Sequence, residues 1–161
     1  MPVSVAVRLS LAEIALAAGV GVRRQTSAIH HGRVPRYGDA GYTDWQSHIE
    51  GALGEFAVAK HLGRFWSGAH DNLRAADVGP YQARSSTYLQ ADLPLHPPDA
   101  DHEVFILVVG RNGAYDLRGW IVARDGKRLE WWGDPAGKNR HAYFVPADAL
   151  HAMADLPVLS R

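Results

Sequence analysis

Residues 104 to 109 form an unbroken apolar run, Val-Phe-Ile-Leu-Val-Val, which is the strongest constraint on the fold. A run of this length without a polar member predicts a strand that is buried in a sheet. The Asn112-Gly113 pair, three residues further along, is typical of a tight hairpin turn. We therefore expect residues 115 to 123 to return beside the run as its hairpin partner.

Two helices are predicted in the first half of the chain. Ser10-Leu-Ala-Glu13 is a capping box, in which the serine oxygen accepts from a free amide and the glutamate returns to the cap. Thr43-Asp-Trp-Gln46 is a second capping box. It opens the clearest helix of the sequence, residues 44 to 62, which Gly63 ends.

Shorter elements complete the order. Strands are expected at 65 to 66, 81 to 85 and 129 to 132, and the three prolines within 93 to 102 exclude a long helix there. Pro146 suits the first position of a helix and predicts a final helix to about residue 155. Helices, then strands, then a helix indicate a single α+β domain with a central mixed β-sheet flanked by helices.

Composition limits the number of domains and the cellular location that we expect. A chain of 161 residues with 47% hydrophobic residues fits one domain with an ordinary core. The absence of cysteine excludes disulfides and thiolate metal sites and suits a cytoplasmic location. No apolar run approaches the ~20 residues of a membrane helix, and the first ten residues lack the layout of a secretory signal. We expect no membrane partner.

Charge restricts any role in binding nucleic acid. The formal net charge is zero, whereas nucleic-acid-binding proteins usually carry a basic excess. Such a role must therefore rest on a local patch. One candidate patch lies around His30 and His31 and contains Arg23, Arg24, Arg33 and Arg36.

The predicted helix 44 to 62 carries two glutamates with different surroundings. At 100° per residue, Glu50 falls opposite the apolar face and is expected in solvent. Glu55 falls on the flank of that face, among Gly51 and other small residues that let another element approach. It is either a glutamate at the rim of the core or one that points into a cleft. Glu55 is the better functional candidate of the two.

A second candidate group lies on the strands after this helix. Asp77 ends a short strand, and the next strand carries Gln82-Ala83-Arg84. Residues i and i+2 of a strand share a face, so Gln82 and Arg84 point to one side and Ala83 to the other. An aspartate on one strand and a polar residue on the next can supply the oxygen ligands that Mg²⁺ prefers.

These residues resemble a known family. Gly54-Glu55-Phe-Ala-Val-Ala-Lys-His-Leu62, Ala76-Asp77-Val-Gly and Tyr81-Gln82-Ala83-Arg84-Ser are similar to the motifs of the PD-(D/E)XK nuclease superfamily, over about residues 44 to 123. The resemblance implies a restriction-endonuclease-like core between a helical N-terminal extension, residues 1 to 43, and a C-terminal strand and helix, residues 124 to 161. It also implies Mg²⁺- or Mn²⁺-dependent hydrolysis of DNA.

The resemblance also assigns roles at the site. Asp77 would be the principal metal ligand, with Gln82 at the second acidic position and the Ala83 backbone carbonyl as a third ligand. Glu55 would bind the metal directly or through water. Arg84 would stand where the family has lysine.

Two departures from the family pattern bear on catalysis. Gln82 removes a negative charge from the metal site, and Arg84 can hold a phosphate but cannot act as a base because arginine keeps its proton. The sequence therefore predicts a nuclease with a weakened site. The alternative is a catalytically inactive module with the nuclease fold that binds nucleic acid or a protein partner, and a homodimer is left open.

Overall fold

The computed structural model describes residues 3–33, 44–68 and 76–160 as one α+β fold with a mixed sheet and three helices. The helices are α1 (Leu11–His30), α2 (Asp44–Leu62) and the short α3 (Ala123–Gly126). The strands are β1 (Val5–Arg8), β2 (Tyr81–Ser86), β3 (Leu93–Leu95), β4 (Val104–Arg111), β5 (Ala114–Val122), β6 (Trp132–Gly133) and β7 (Ala142–Val145). Three 3₁₀ turns cover Leu129–Trp131, Ala147–Ala149 and Met153–Asp155.

The main sheet has four strands in the order β1-β5-β4-β2. β4 is buried from Val104 to Val109, which confirms the strand predicted from the apolar run. It is antiparallel to β5 and parallel to β2, so the sheet is mixed. The hairpin between β4 and β5 turns at Asn112, whose φ of 55° is the left-handed conformation that asparagine tolerates.

Each face of this sheet has its own apolar cluster. Ile106 and Val108 pack toward the helices with Leu53 of α2. The alternate residues of β4 pack against a second, three-stranded sheet in the order β3-β7-β6. The fold therefore has three layers: a pair of helices, the four-stranded sheet, and the small sheet. α2 faces one side of β2, and the small sheet lies on the other.

Several local predictions are confirmed and others are wrong. The Ser10–Glu13 capping box is present, and α2 has the predicted bounds, although Thr43 of its predicted cap lies outside the described residues. Residues 65 to 66 form no strand. The final helix after Pro146 is replaced by two 3₁₀ turns. His151 between them pairs with Trp120 of β5 through both backbone hydrogen bonds, which a helix would not allow.

The N-terminal segment joins the core rather than standing apart from it. β1 pairs antiparallel with β5, and Ala17 of α1 is fully buried. β1 and the strands of the small sheet, β3, β6 and β7, have only two to four residues each, so their sequence signal is weak. Of the helices in the described part of the chain, none is long and apolar enough to cross a membrane.

The contact between α1 and α2 depends on one glycine. A Cβ added at Gly21 would lie 2.5 Å from the Cα of Ile49, whereas a Cβ at Gly19 would meet nothing within 4 Å. Two backbones can approach this closely only where no side chain intervenes. Gly21 therefore sets the spacing that brings the next turn of α1 over α2.

This spacing gives the first prediction. Gly21→Ala should lower the free energy of unfolding by about 1–3 kcal/mol, because the added methyl group forces the helices apart. Gly19→Ala, two residues away on the open side, should raise it by roughly 0.5–1 kcal/mol through better helix propensity. Urea unfolding of both variants checks this. Equal effects at the two positions would contradict the close packing.

Candidate functional site

Glu55 lies at the buried boundary between α2 and β2. Its predecessor, Gly54, packs so closely on β2 that an added Cβ would clash with the hydroxyl of Ser85. Glu55 keeps only 7% of its surface exposed. It is therefore not a glutamate at an exposed rim but an acid held in the interior, and burial on this scale requires compensation of its charge.

Arg24 of α1 supplies that compensation. Its Nη1 and Nη2 atoms donate to Oε1 and Oε2 of Glu55 at 2.6 and 2.8 Å, a bidentate ion pair. The indole Nε1 of Trp66 donates to Oε2 at 3.2 Å. Burial alone would lower the pKa of Arg24, but the hydrogen bonds and charge of Glu55 raise it. Both carboxylate oxygens are thus engaged by a fixed cation.

Asp77 is the second acid at this site. It precedes an isolated bridge between Val78 and Tyr81, and its Oδ2 accepts from the backbone N–H of Ala83 at 2.8 Å. Burial, followed by the negative charge of Glu55, raises the pKa of Asp77 from 3.8 to about 7. The hydrogen bond from Ala83 and the nearby arginines oppose the rise. The structure thus brings Glu55 and Asp77 together, as the sequence predicts.

Gln82 and Arg84 direct their polar groups to the other face of the sheet. The amide of Gln82 donates to Oε1 of Glu103 at 2.9 Å. The guanidinium of Arg84 donates to Oδ1 of Asp99 at 3.0 Å and lies over the ring of Phe105, 4.7 Å from its centroid. Phe105 belongs to the cluster under the small sheet. The expected grouping of Gln82 with Glu55 and Asp77 is therefore not what the structure shows.

The residues of β2 that face α2 are instead Ala83 and Ser85. Ala83 packs with the cluster beneath α2, and Ser85 lies against Gly54. A cavity of about 290 Å³ lies between the two elements, and its lining includes Ser47, Glu50, Glu55, Ala83, Arg84 and Ser85, although the guanidinium of Arg84 is bound to Asp99. The predicted pairing of residues 82 and 84 on one face is present, but that face is not the one that carries Glu55.

Glu50 corrects a further expectation. It was expected in solvent, yet its Oε2 accepts from the hydroxyl of Tyr115 at 2.5 Å and its Oε1 accepts from the backbone N–H of Asn112 at 3.2 Å. The β4–β5 hairpin folds over the polar side of α2 and reaches it. The helical wheel missed this contact because Tyr115 lies 65 positions further along the chain.

Mg²⁺ or Mn²⁺ would require several oxygen ligands at this site. Within residues 3–33, 44–68 and 76–160, no group of three or more histidine, aspartate and glutamate side chains is placed to hold a metal ion. Arg24 already binds both oxygens of Glu55, and its positive charge would repel a divalent cation at this point. The residues as arranged therefore do not fit the metal, and the catalytic and metal-binding roles assigned from sequence stay predictions.

The predicted arginine patch divides in two. Arg23 is exposed in the C-terminal half of α1, and Arg33 is exposed three residues after the last residue of the helix. Arg24 turns inward to Glu55, with 18% of its side chain exposed. Arg36 lies outside the described residues. The exposed part of the patch in the described chain therefore rests on Arg23 and Arg33.

Comparison with protein-family models, with curated proteins and with solved structures gives no match for this chain. The function of the chain must therefore be inferred from the geometry of its site.

The raised pKa of Asp77 gives the second prediction. Its folded pKa of about 7 lies above its ordinary value of 3.8, so the folded state holds the extra proton between these values. Stability should fall as pH rises through that window. Asp77→Asn should remove most of this fall and be more stable than the native chain at pH ~8, by on the order of 1–3 kcal/mol.

Thermal unfolding between pH ~4 and ~8 measures this, with Asp155→Asn as the control because Asp155 is exposed. The control should follow the native profile. An Asp77→Asn profile with the native slope would show that the Asp77 carboxyl is not held in the charged surroundings described.

Proposed function

We propose that this chain is a nucleic-acid-binding module with a restriction-endonuclease-like core that does not cut its ligand. The observation that carries the proposal is the bidentate contact of Arg24 with Glu55. In a metal-dependent nuclease the carboxylates of the site hold a divalent cation that activates water and stabilises the charge on the phosphate. Here a guanidinium stands in the place of that cation, and it cannot activate a water by coordination.

The side chains on the α2-facing side of β2 support the proposal that the chain does not cut nucleic acid. A nuclease site of this family needs a second acid and a basic residue next to Asp77 on the face that carries Glu55. That face presents the methyl group of Ala83 and the hydroxyl of Ser85. The groups of the expected acidic-x-basic triplet, Gln82 and Arg84, are tied to Glu103 and Asp99 on the far side.

The polar contacts of Gln82 and Arg84 have a structural role. Glu103 also accepts from the backbone N–H of Ala100, and Asp99 accepts from that of His96. Glu103 and Asp99 therefore fix the backbone of the loop between β3 and β4 and connect it to Gln82 and Arg84 of β2. The triplet stabilises the fold, and neither Gln82 nor Arg84 contributes a base to the cleft.

Binding of nucleic acid is supported by local rather than overall charge. The chain has no net charge, so attraction to phosphate must come from exposed cations. Arg23 on α1 and Arg33 just after its C-terminal end offer two such cations, and each phosphate contact releases counterions and makes binding depend on salt. Arg24, next to Arg23, forms an ion pair with Glu55 and is not counted among these exposed cations.

The third prediction tests cleavage directly. Labelled single-stranded and duplex DNA incubated with the chain and Mg²⁺ or Mn²⁺ should be bound but not cut, at protein concentrations far above those a working nuclease needs. Glu55→Gln serves as the matched control, because it would disable a true nuclease and leave the level of any contaminating activity unchanged. Metal-dependent cutting by the native chain that Glu55→Gln abolishes would overturn the proposal.

The same samples test binding. Replacing Arg23 and Arg33 together with serine should weaken binding and reduce the slope of log affinity against log salt by roughly one to two. Arg8→Ser is the control, since Arg8 is exposed just before the N-terminal end of α1, roughly 18 Å along the helix from Arg23 and roughly 30 Å from the end that precedes Arg33. Equal effects of the two changes would argue against a specific patch at Arg23 and Arg33.

A further inference from the structure

Three aromatic side chains cluster where the edge strand β6 of the small sheet meets the central strand β7. Trp132 of β6 lies opposite Tyr143 of β7 in the antiparallel pair. The Trp132 ring centroid is 4.7 Å from that of Tyr143 and 5.7 Å from that of His141, with an angle of 26° between the indole and imidazole planes. We call these three residues the aromatic edge. Although it packs against both neighbours, Trp132 keeps 41% of its surface exposed.

The loop that joins β6 to β7 is fixed by one acid. The carboxylate of Asp134 accepts the backbone N–H groups of Lys138, Asn139 and Arg140, with a distance of 2.7 Å from Asn139 N to Oδ2. The backbone N–H of Gly137 donates to the carbonyl oxygen of Asp134 at 3.0 Å. Asp134 therefore holds the loop in one shape from within, and the exposed side chains of Lys138 and Arg140 project from a defined backbone.

The charges around the aromatic edge show a small excess of cations. Residues 128 to 141 carry three cations, Arg128, Lys138 and Arg140, against two acids, Glu130 and Asp134, and the Asp134 carboxylate is hydrogen-bonded to the backbone of its own loop. The nearby acid Glu130 lies 3.7 Å from Arg128, and Arg128 also lies over the ring of Trp131 at 4.9 Å. The surface thus combines a partly exposed indole ring with cations on an ordered loop. That is the combination that binds unpaired bases by stacking and their phosphates by charge.

We propose that the aromatic edge, with Lys138 and Arg140, binds single-stranded DNA. A base stacks on the exposed part of the Trp132 ring, and the adjoining phosphates contact the two cations of the loop. Paired bases in a duplex do not expose their faces, so the surface selects the single strand. This inference rests on the proposed function and specifies the form of its ligand. It adds a second contact, on the opposite side of the main sheet from α2, to the one proposed for Arg23 and Arg33.

The test uses fluorescence anisotropy with a labelled oligo-dT of about twelve nucleotides and the full chain. Trp132→Ala should weaken binding by about 5- to 100-fold, the loss expected from one stacked base. Trp45→Ala is the matched control, since Trp45 on α2 is 44% exposed and lies in another layer of the fold. It should bind as the native chain does. Trp132→Phe should keep most of the affinity, which tests stacking even if the alanine variant folds poorly.

Further measurements test whether the loop cations contact phosphate and which form of nucleic acid binds. Changing Lys138 and Arg140 together to glutamine should reduce the salt slope by roughly one to two, and a duplex of the same length should bind more weakly than oligo-dT. Equal binding of oligo-rU would be compatible with stacking, whereas binding of oligo-rU alone would overturn the choice of DNA. Equal or stronger binding of the duplex would overturn selection of the single strand.

Two failures can be told apart. If DNA binds but Trp132→Ala binds as tightly as the native chain, the aromatic edge is a surface for some other partner, such as a protein segment, and this inference alone fails. If neither single-stranded nor duplex DNA binds at low salt, the proposed function fails with it.

Discussion

The ion pair between Arg24 and Glu55 is the interaction on which the rest of the structure depends. A carboxylate as buried as Glu55 is tolerated only when it is paired and hydrogen-bonded, and removing one partner leaves an uncompensated charge. The pair links α1 to α2, and Gly21, one turn earlier on α1, permits the spacing that it requires. Trp66 extends the link to the segment after α2.

The same pair sets the chemistry of the cleft. One guanidinium faces two acids, Glu55 and Asp77, and the geometry gives its hydrogen bonds to Glu55. Burial and the charge of Glu55 raise the pKa of Asp77. The backbone hydrogen bond from Ala83 and the positive charges of Arg84 and Arg24 lower it by less, so the pKa rises. The guanidinium of Arg24 and the partial protonation of Asp77 near neutral pH both reduce the negative charge that the cleft offers to a metal ion. That is the physical reason for proposing a binding module rather than a nuclease.

The sequence predicts best those features that short segments determine. The capping box at Ser10, the bounds of α2 and the buried strand β4 each depend on residues within a few positions of one another. Strand alternation correctly placed Gln82 and Arg84 on one face, but it cannot say which face meets α2, because that depends on β4 and on Glu103 and Asp99 far along the chain. Arg24 as the partner of Glu55 was missed for the same reason, since 31 positions separate them. The helix expected after Pro146 does not form, because the backbone of His151 pairs with Trp120 of β5.

The central claim is that the cation of this site is Arg24. A double-mutant cycle with Arg24→Met and Glu55→Gln, followed by urea unfolding in EDTA and again in Mn²⁺, tests it most directly. We expect Arg24→Met alone to lower the free energy of unfolding by on the order of 3–5 kcal/mol. We also expect a coupling of about 1–3 kcal/mol between the two positions in EDTA, and no gain of native stability with Mn²⁺. A coupling near zero in EDTA, together with a native chain that Mn²⁺ stabilises, would contradict the claim.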